Sequence, residues 1–360
     1  MALVAEAVDS GRLMGAGPFA GRCEKLLESR LGCKRVLCTN SATAALEMAG
    51  LLLGIGPGDE VVVPSFAFVS TANAFALLGA IPVFADVRPD TFNLDEERLE
   101  SAITKKTKAI VPVHYAGVGC NMEAITAFGL PVIEDAALGL FASINSRPLG
   151  TIGDFGVFSF HQTKGLTCGE GGALAVNRAD LVERAETVLH FGTDRAQYLA
   201  GKSGSYSWQE KGSSFAPSEL CTAFLLGQLE SADFILESRK ALWKFYSGAF
   251  EDAEKRGLAK RPAIPKGAAH NACQYWLLLA DAKRRDLFLR GMADAGVQAE
   301  GHYPPLHLTP AGKRLGRSAG PLSVSGDISG RIVRLPFWTN MDRATADRVA
   351  EIALKILAGL

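Results

Sequence analysis

In the stretch SFHQTKGLTCGEGG, residues 159–172, a single lysine, Lys164, stands among one serine, two threonines and four glycines. A lysine works as a nucleophile only through its neutral amine, and a Schiff base with an aldehyde both stores and activates that amine. The aldehyde cofactor that uses lysine in this way, pyridoxal 5'-phosphate (PLP), requires a phosphate cradle, an anion at its pyridinium nitrogen and a flat apolar group over its ring. Each has a candidate. Ser41, Ala42 and Thr43 open a helical pattern, which offers free backbone N–H groups and two hydroxyls to a phosphate dianion at the positive end of a helix. Ser159, five residues before Lys164, adds a further donor. Asp135 follows a buried run and is placed to pair with a ring nitrogen, and Phe68 to cover a ring face. Taken singly these are a helix cap, a turn residue, a core aromatic and a solvated lysine. Their ordered combination is what points to a cofactor site.

These groups need a frame. Between residues 34 and 177, RVLCTN, EVVVP, IPVFADV, KAIVPVHY, PVIED, FGVFSF and ALAVN read as strands, and residues 42–53, 69–78, 94–103 and 121–128 as helices. Ser41 caps the first helix, Gly54 ends it, and Asn93 with Glu96 three residues on resembles a capping box. The alternation predicts an α/β domain around a largely parallel sheet. In such a sheet ligands sit beyond the carboxyl ends of the strands. That rule singles out Asn40 and Ser41, residues 65–68, His114 and Tyr115, Asp135, and residues 159–164. From about Ser218 the texture changes to a long helical region over residues 218–257 and a strand in CQYWLLLA. A charged helix at 284–295, strands in VQAEGHY and RIVRLPF, and a closing helix RATADRVAEIALKILAGL follow. The expected organisation is a large PLP-binding domain of residues 1–225 and a smaller α+β domain of residues 226–360.

The 360 residues, 48% hydrophobic and 21% charged, are enough for a sizeable core. Lys and Arg together number 38, as do Asp and Glu, so no basic surplus points to nucleic acid. Seven scattered cysteines without a C-x-x-C pair suggest neither a disulfide framework nor a zinc site and fit a reducing cytoplasm. The start MALVAEAVDSGRLMG lacks the cationic and apolar blocks of a secretory signal. Residues 61–85 carry no charge, but Pro64, Ser65, Ser70, Thr71, Asn73, Gly79 and Pro82 interrupt them, which predicts a buried strand–helix–strand unit rather than a membrane span. No G-x-G-x-x-G follows the first strand, which argues against a dinucleotide enzyme.

The string TNSATAALEMAGLLLGIGPGDEVVVPSFAFVSTANAFALLGAIPVFADVRPDTFNLDEERLESAI, then VPVHYAG, EDAA, GTIGDFGVFSFHQTKGLTCGEGG and HYPPLH, resembles the sugar-nucleotide aminotransferases of the DegT/DnrJ/EryC1/StrS family, in order and over nearly the whole chain. The resemblance implies the aspartate aminotransferase-like fold type I and an active site at a homodimer interface. It implies that Lys164 carries PLP and acts as general acid and base, and that Asp135 binds the pyridinium. Ser159 and the helix start at Ser41, Ala42 and Thr43 would hold the phosphate, and Phe68 would stack on the ring. Ser214 stands where the wider family has an asparagine that reaches the neighbouring subunit's phosphate. The implied reaction moves an amino group from L-glutamate, by way of pyridoxamine 5'-phosphate, to C4 of a nucleotide-linked keto-sugar, dTDP-4-keto-6-deoxyglucose. PSFAFVSTANAF, VRPDT and GSSFAPSEL carry that finer likeness. Amination at C3, another nucleotide sugar, and a non-catalytic PLP-fold binding protein are the alternatives. His302, Tyr303 and His307 in EGHYPPLH, and Arg12 in GRLMGAGPF, lie where the family has segments near the nucleotide-sugar. Leu138 in EDAAL departs from the polar residue common at that position, near the cofactor's phenolic oxygen. A related branch that removes a hydroxyl has histidine in place of the lysine, and Lys164 argues against that outcome.

Overall fold

All seven apolar runs between residues 34 and 177 become strands in the computed structural model, which describes residues 1–199, 201, 202 and 204–360. They are Val36–Thr39, Glu60–Pro64, Ile81–Ala85, Thr107–Ile110, Ile133–Asp135, Phe155–Ser159 and Gly172–Val176. Unbroken apolar runs suit strands covered on both faces, and every residue of Glu60–Pro64 and Phe155–Ser159 is buried. Glu60–Pro64 lies parallel to Ile81–Ala85 and Thr107–Ile110, and Ile133–Asp135 lies parallel to Phe155–Ser159. Parallel bridges from Ile110 to Val132 and from Val113 to Asp135 join these halves into one sheet. Gly172–Val176 instead runs antiparallel between Phe155–Ser159 and Val36–Thr39. The sheet is therefore parallel over most of its width and antiparallel at one side. Residues 160–171 contain no crossover helix, and without one the chain returns antiparallel.

The charge-free stretch 61–85 is strand, helix Ser70–Leu77 and strand, as expected; among the described residues no helix is long and apolar enough to cross a membrane. Ser41 caps the helix Ala42–Leu52 by accepting from Ala44 N at 3.0 Å. The capping box expected at Asn93 is not formed. Asn93 Nδ2 donates to Val118 O at 3.0 Å and its Oδ1 accepts from Tyr115 N at 2.9 Å, so Asp95 caps the 3-10 helix Glu96–Ala102 in its place.

The helical region 218–257 divides into Glu219–Glu230, Ala232–Ala249 and Glu251–Lys255. Glu219 is buried, and its carboxylate accepts from the N–H groups of Gly17 (3.2 Å), Phe19 (2.8 Å) and Ala20 (3.1 Å), fixing the positive end of the helix Pro18–Leu31. A second, antiparallel sheet joins Ala259–Lys260, Trp276–Leu279 and Ile332–Arg334 and is packed by the helices Ala282–Asp294 and Arg343–Ala358. VQAEGHY forms no strand beyond one bridge, Glu300 to Arg334; Gly301 and the Pro304–Pro305 pair interrupt it. One apolar cluster, with Leu46, Val63, Ile133 and Val157, fills one face of the large sheet. On the other face a cluster with Cys23, Leu27, Phe158 and Leu226 covers the antiparallel side and one with Val62, Val83, Ile110 and Val132 the parallel strands, and a separate one around Tyr246, Phe250, Tyr275 and Phe288 belongs to the small sheet.

Candidate active site

Side chains alternate along a strand, so the neighbours Glu134 and Asp135 point to opposite faces of Ile133–Asp135. Glu134 is fully buried and accepts from the N–H groups of Gly150 (2.9 Å), Ile152 (2.5 Å) and Gly153 (2.6 Å) and pairs with His114 Nε2 at 2.9 Å. Cys120 N donates to His114 Nδ1 at 3.1 Å, which leaves Nε2 as the protonated nitrogen that donates to Glu134. This network locks the strand end. Asp135 faces the other way, into a cavity of about 1060 Å³. Its carboxylate accepts from Thr71 Oγ1 at 2.7 Å and Ala137 N at 3.1 Å.

The helix start at Ser41 opens into the same cavity. The first-turn N–H groups of Ala42 and Thr43 have no intrahelical acceptor, while the Thr43 hydroxyl donates to Ser70 Oγ at 2.7 Å. The strand Gly172–Val176 passes directly against this turn. A Cβ at Gly172 would stand 2.4 Å from Ala42 N, so only glycine lets the strand and the helix start approach this closely. Ser159, at the end of Phe155–Ser159, and Phe68, 57% exposed, also line the cavity.

Lys164 stands in the turn after Ser159, its N–H donating to His161 O at 2.9 Å. Among the described residues its amine has no hydrogen-bond or ion-pair partner. Burial pushes that amine below its ordinary value; the Asp135 carboxylate opposes the shift and the Arg334 guanidinium adds to it. The amine is therefore closer to its neutral, nucleophilic form near pH 7 than a surface lysine is.

The C-terminal part of the chain supplies the remaining wall. His302 and Tyr303 line it with rings stacked at 4.0 Å and 10°, and the Tyr115 hydroxyl bonds His302 Nδ1 at 2.8 Å. Burial, then the charges of Arg334 and Lys164, lower the His302 pKa to about 2. That ring is neutral at working pH, so any contact it makes with a ligand is uncharged. Leu138 lines the cavity with an apolar side chain, its carbonyl accepting from Asn271 Nδ2 at 2.9 Å.

Nine of the candidates, Ser41, Ala42, Thr43, Phe68, Asp135, Ser159, Lys164, His302 and Tyr303, thus share one cavity. Arg12, Ser214 and His307 lie outside its lining. Arg12 is exposed near the N-terminus, and Ser214 bridges to His190 while its carbonyl accepts from Asn40 Nδ2 at 3.0 Å. His307 Nδ1 is tied to Ser65 Oγ at 2.6 Å. Sequence reasoning passed over Glu134, Arg239, Gln274 and Arg334. The last two were detectable as polar residues inside the apolar runs CQYWLLLA and RIVRLPF.

A depressed lysine amine, a carboxylate and a positive helix end around one enclosed space suit proton transfer at carbon and attack on a carbonyl. Comparison with known proteins agrees. Residues 1–353 match the DegT/DnrJ/EryC1/StrS aminotransferase family. The spore coat polysaccharide biosynthesis protein SpsC of Bacillus subtilis is 33% identical over 369 residues, covering 99% of this chain and 94% of that protein. GDP-perosamine synthase of Caulobacter vibrioides is 31% identical, covering 96% of this chain and 92% of that protein. The sugar aminotransferase Spr1654 of Streptococcus pneumoniae, solved in PMP and PLP forms, is 26% identical; its PMP form superposes with a TM-score of 0.91 over 99% of this chain and 96% of that one. The chain belongs to the DegT/DnrJ/EryC1/StrS aminotransferase family and is a transaminase with the α/β fold of the PLP-dependent aminotransferases.

Proposed function

We propose that the protein moves an amino group from L-glutamate to C4 of dTDP-4-keto-6-deoxyglucose, giving a dTDP-4-amino-4,6-dideoxyhexose, with PLP as its resident cofactor. The observation that carries this reading is the convergence of Lys164, Asp135 and the helix start at Ser41 on one cavity. The residues present fit the cofactor. The Ala42 and Thr43 N–H groups with the Ser41 and Ser159 hydroxyls suit a phosphate dianion, and Gly172 lacks the Cβ that would crowd that cradle. Asp135 suits a protonated ring nitrogen, and Phe68 covers a ring face.

Bound PLP supplies an electron sink that stabilises negative charge on the carbon next to the amine. Asp135, held by Thr71 and Ala137, keeps the proton on the ring nitrogen through its charge. Lys164 Nζ takes the proton from the α-carbon of glutamate and, in the second half of the reaction, returns one to sugar C4. Neutral His302 with Tyr303 offers hydrogen bonds to the sugar, and binding energy from the nucleotide holds the small ring in register. Arg12 and His307 belong to segments assigned to the nucleotide-sugar, and Ser214 to the phosphate of the second subunit in a cytoplasmic homodimer. The same reading divides the chain into a PLP-binding domain of residues 1–225 and a smaller domain of residues 226–360. A GDP-linked keto-sugar is the second reading, favoured by the likeness to GDP-perosamine synthase.

The test is incubation of the purified protein with PLP and L-glutamate, followed by dTDP- and GDP-linked 4-keto-6-deoxy sugars. Stoichiometric release of 2-oxoglutarate that Lys164→Ala abolishes is expected, then amino-sugar formation with a higher kcat/KM for the dTDP-linked sugar. No release of 2-oxoglutarate overturns the reaction. A higher kcat/KM for the GDP-linked sugar overturns the choice of nucleotide.

A further inference from the structure

We propose that Ser65 and His307 are positioning residues that fasten the His302–Tyr303 wall of the Lys164 cavity in place for the keto-sugar, an inference that rests on the transaminase reading above. Residues 301–316 cross from one sheet to the other. Before them Glu300 bridges to Arg334 of the small sheet, Glu300 N donating to Arg334 O at 3.1 Å. After them Arg317–Ser318 lies parallel to Ile81–Ala85 of the large sheet, and Arg317 donates to the Glu60 carboxylate from Nε and Nη2, both at 2.8 Å. His302 and Tyr303 line the cavity near the start of this crossing. Their place is set by where the crossing is next fastened.

That fastening is Ser65, fully buried at the carboxyl end of Glu60–Pro64. Its carbonyl accepts from Leu306 N at 2.8 Å, its Oγ accepts from His307 N at 3.3 Å, and the same Oγ lies 2.6 Å from His307 Nδ1. The chain leaving Ser65 carries Phe66 and Phe68, whose ring centroids stand 5.7 and 6.1 Å from that of Tyr303. Between Tyr303 and His307 lie Pro304 and Pro305, whose rings fix φ and leave the backbone little freedom. A displacement at His307 is therefore passed on to Tyr303 and its contact with Phe68.

The clasp requires a neutral histidine. Ser65 Oγ accepts from His307 N, so its one proton is free to donate to Nδ1, which places the ring proton on Nε2. A proton on Nδ1 would set a donor against the hydroxyl and leave the Ser65 O–H without an acceptor where water does not reach. The surroundings favour the neutral ring. Burial lowers its pKa from the ordinary 6.5, and Lys313 on the helix Pro310–Leu315 adds to the shift, while Asp86, just after Ile81–Ala85, opposes it. The Asp86 carboxylate is itself taken up by Val324 N at 3.1 Å, Ser325 N at 2.8 Å and Ser325 Oγ at 2.7 Å. Above pH 6.5 the ring is neutral in the folded and unfolded chain alike, and the clasp is closed. As the pH falls through 6.5 the unfolded chain takes up the proton first, and below the depressed folded value the clasp opens.

The experiment compares wild type, Ser65→Ala, His307→Leu and His307→Asn, whose amide oxygen can accept from Ser65 as Nδ1 does but does not titrate. Two measurements are made across pH 6.5: steady-state kinetics with dTDP-4-keto-6-deoxyglucose, and amide hydrogen exchange of residues 302–309 in the cofactor-free protein. Wild type is expected to show a KM for the keto-sugar that is flat at alkaline pH and rises about tenfold on the acid side, with kcat and 2-oxoglutarate release little changed. Ser65→Ala and His307→Leu should have the raised KM and fast exchange at every pH. His307→Asn should keep the low KM and slow exchange and lose the acid rise. Exchange in folded His307→Leu within about twofold of wild type overturns the clasp, as does an acid rise that persists in His307→Asn. Failure of wild type to release 2-oxoglutarate would sink the transaminase reading and leave the exchange data to decide the clasp. Normal release with unmoved exchange would do the reverse.

Discussion

Replacing Gly172 by alanine tests the proposed phosphate cradle without removing any group that would contact the cofactor. The new Cβ would stand 2.4 Å from Ala42 N, 2.4 Å from the Ser41 carbonyl carbon and 2.6 Å from Ser41 O. Ordinary contact begins near 3.4 Å, so the helix start or the strand must retreat by about 1 Å. The strand cannot yield freely, because Gly172 is paired with Thr39 on one side and Ser159 on the other. The helix start therefore moves, and the N–H groups of Ala42 and Thr43 move with it. Overpacking of this kind costs about 1–3 kcal/mol of stability. Loss of one hydrogen bond to a charged phosphate, about 1.5–3 kcal/mol, would weaken PLP roughly ten- to a hundredfold. Urea denaturation of the cofactor-free protein reads the first effect and absorbance titration with PLP the second. Gly248→Ala is the control. Its Cβ meets nothing within 4 Å in the helix Ala232–Ala249, and it should stabilise by up to about 1 kcal/mol without altering PLP binding. A Gly172→Ala protein that binds PLP as wild type does would refute the cradle.

The lowered pKa of Lys164 has a thermodynamic consequence. The unfolded chain binds more protons than the folded one between the depressed value and the ordinary 10.5, so cofactor-free stability rises with pH across that interval. Lys164→Met should be more stable than wild type at pH 7 and show a flatter pH dependence in urea melts; no gain would contradict the assignment. Glu134→Gln should lose about 3 kcal/mol or more, because whichever way the amide turns, two of its four donors face N–H instead of oxygen. A loss below about 1 kcal/mol on denaturation would contradict the buried network.

Much of the catalytic frame is legible in the chain because it depends on local chemistry. Apolar runs marked the seven strands of the large sheet between residues 34 and 177 but not the short edge strand Arg317–Ser318, which pairs parallel with Ile81–Ala85; a serine before an apolar helical pattern marked the cap at Ser41, and the strand-end rule led to Asp135, Ser159 and Lys164. The failures share a cause. Asn93 and Asp95 are both good cap residues, and the choice between them is made by Val118 and Tyr115, which are distant in sequence. The antiparallel return of Gly172–Val176 follows from the shape of a helix-free connection, which composition does not encode. Gln274 and Arg334 look like interruptions of apolar strands until the fold brings both into the lining of one cavity. Arg12, Ser214 and His307 carry suitable chemistry in sequence, yet they lie outside the lining of this chain's cavity.

The adjacent acids Glu134 and Asp135 give the fold an internal gauge. A slip of one residue in that strand would exchange their faces. The shorter aspartate would then meet the N–H groups of Gly150, Ile152 and Gly153 from too far away, and the longer glutamate would intrude into the space beside Lys164. A misthreaded chain would therefore carry orphaned donors in its interior and be disfavoured before any ligand arrived. The buried acid acts as the proofreader of the one that faces the cavity.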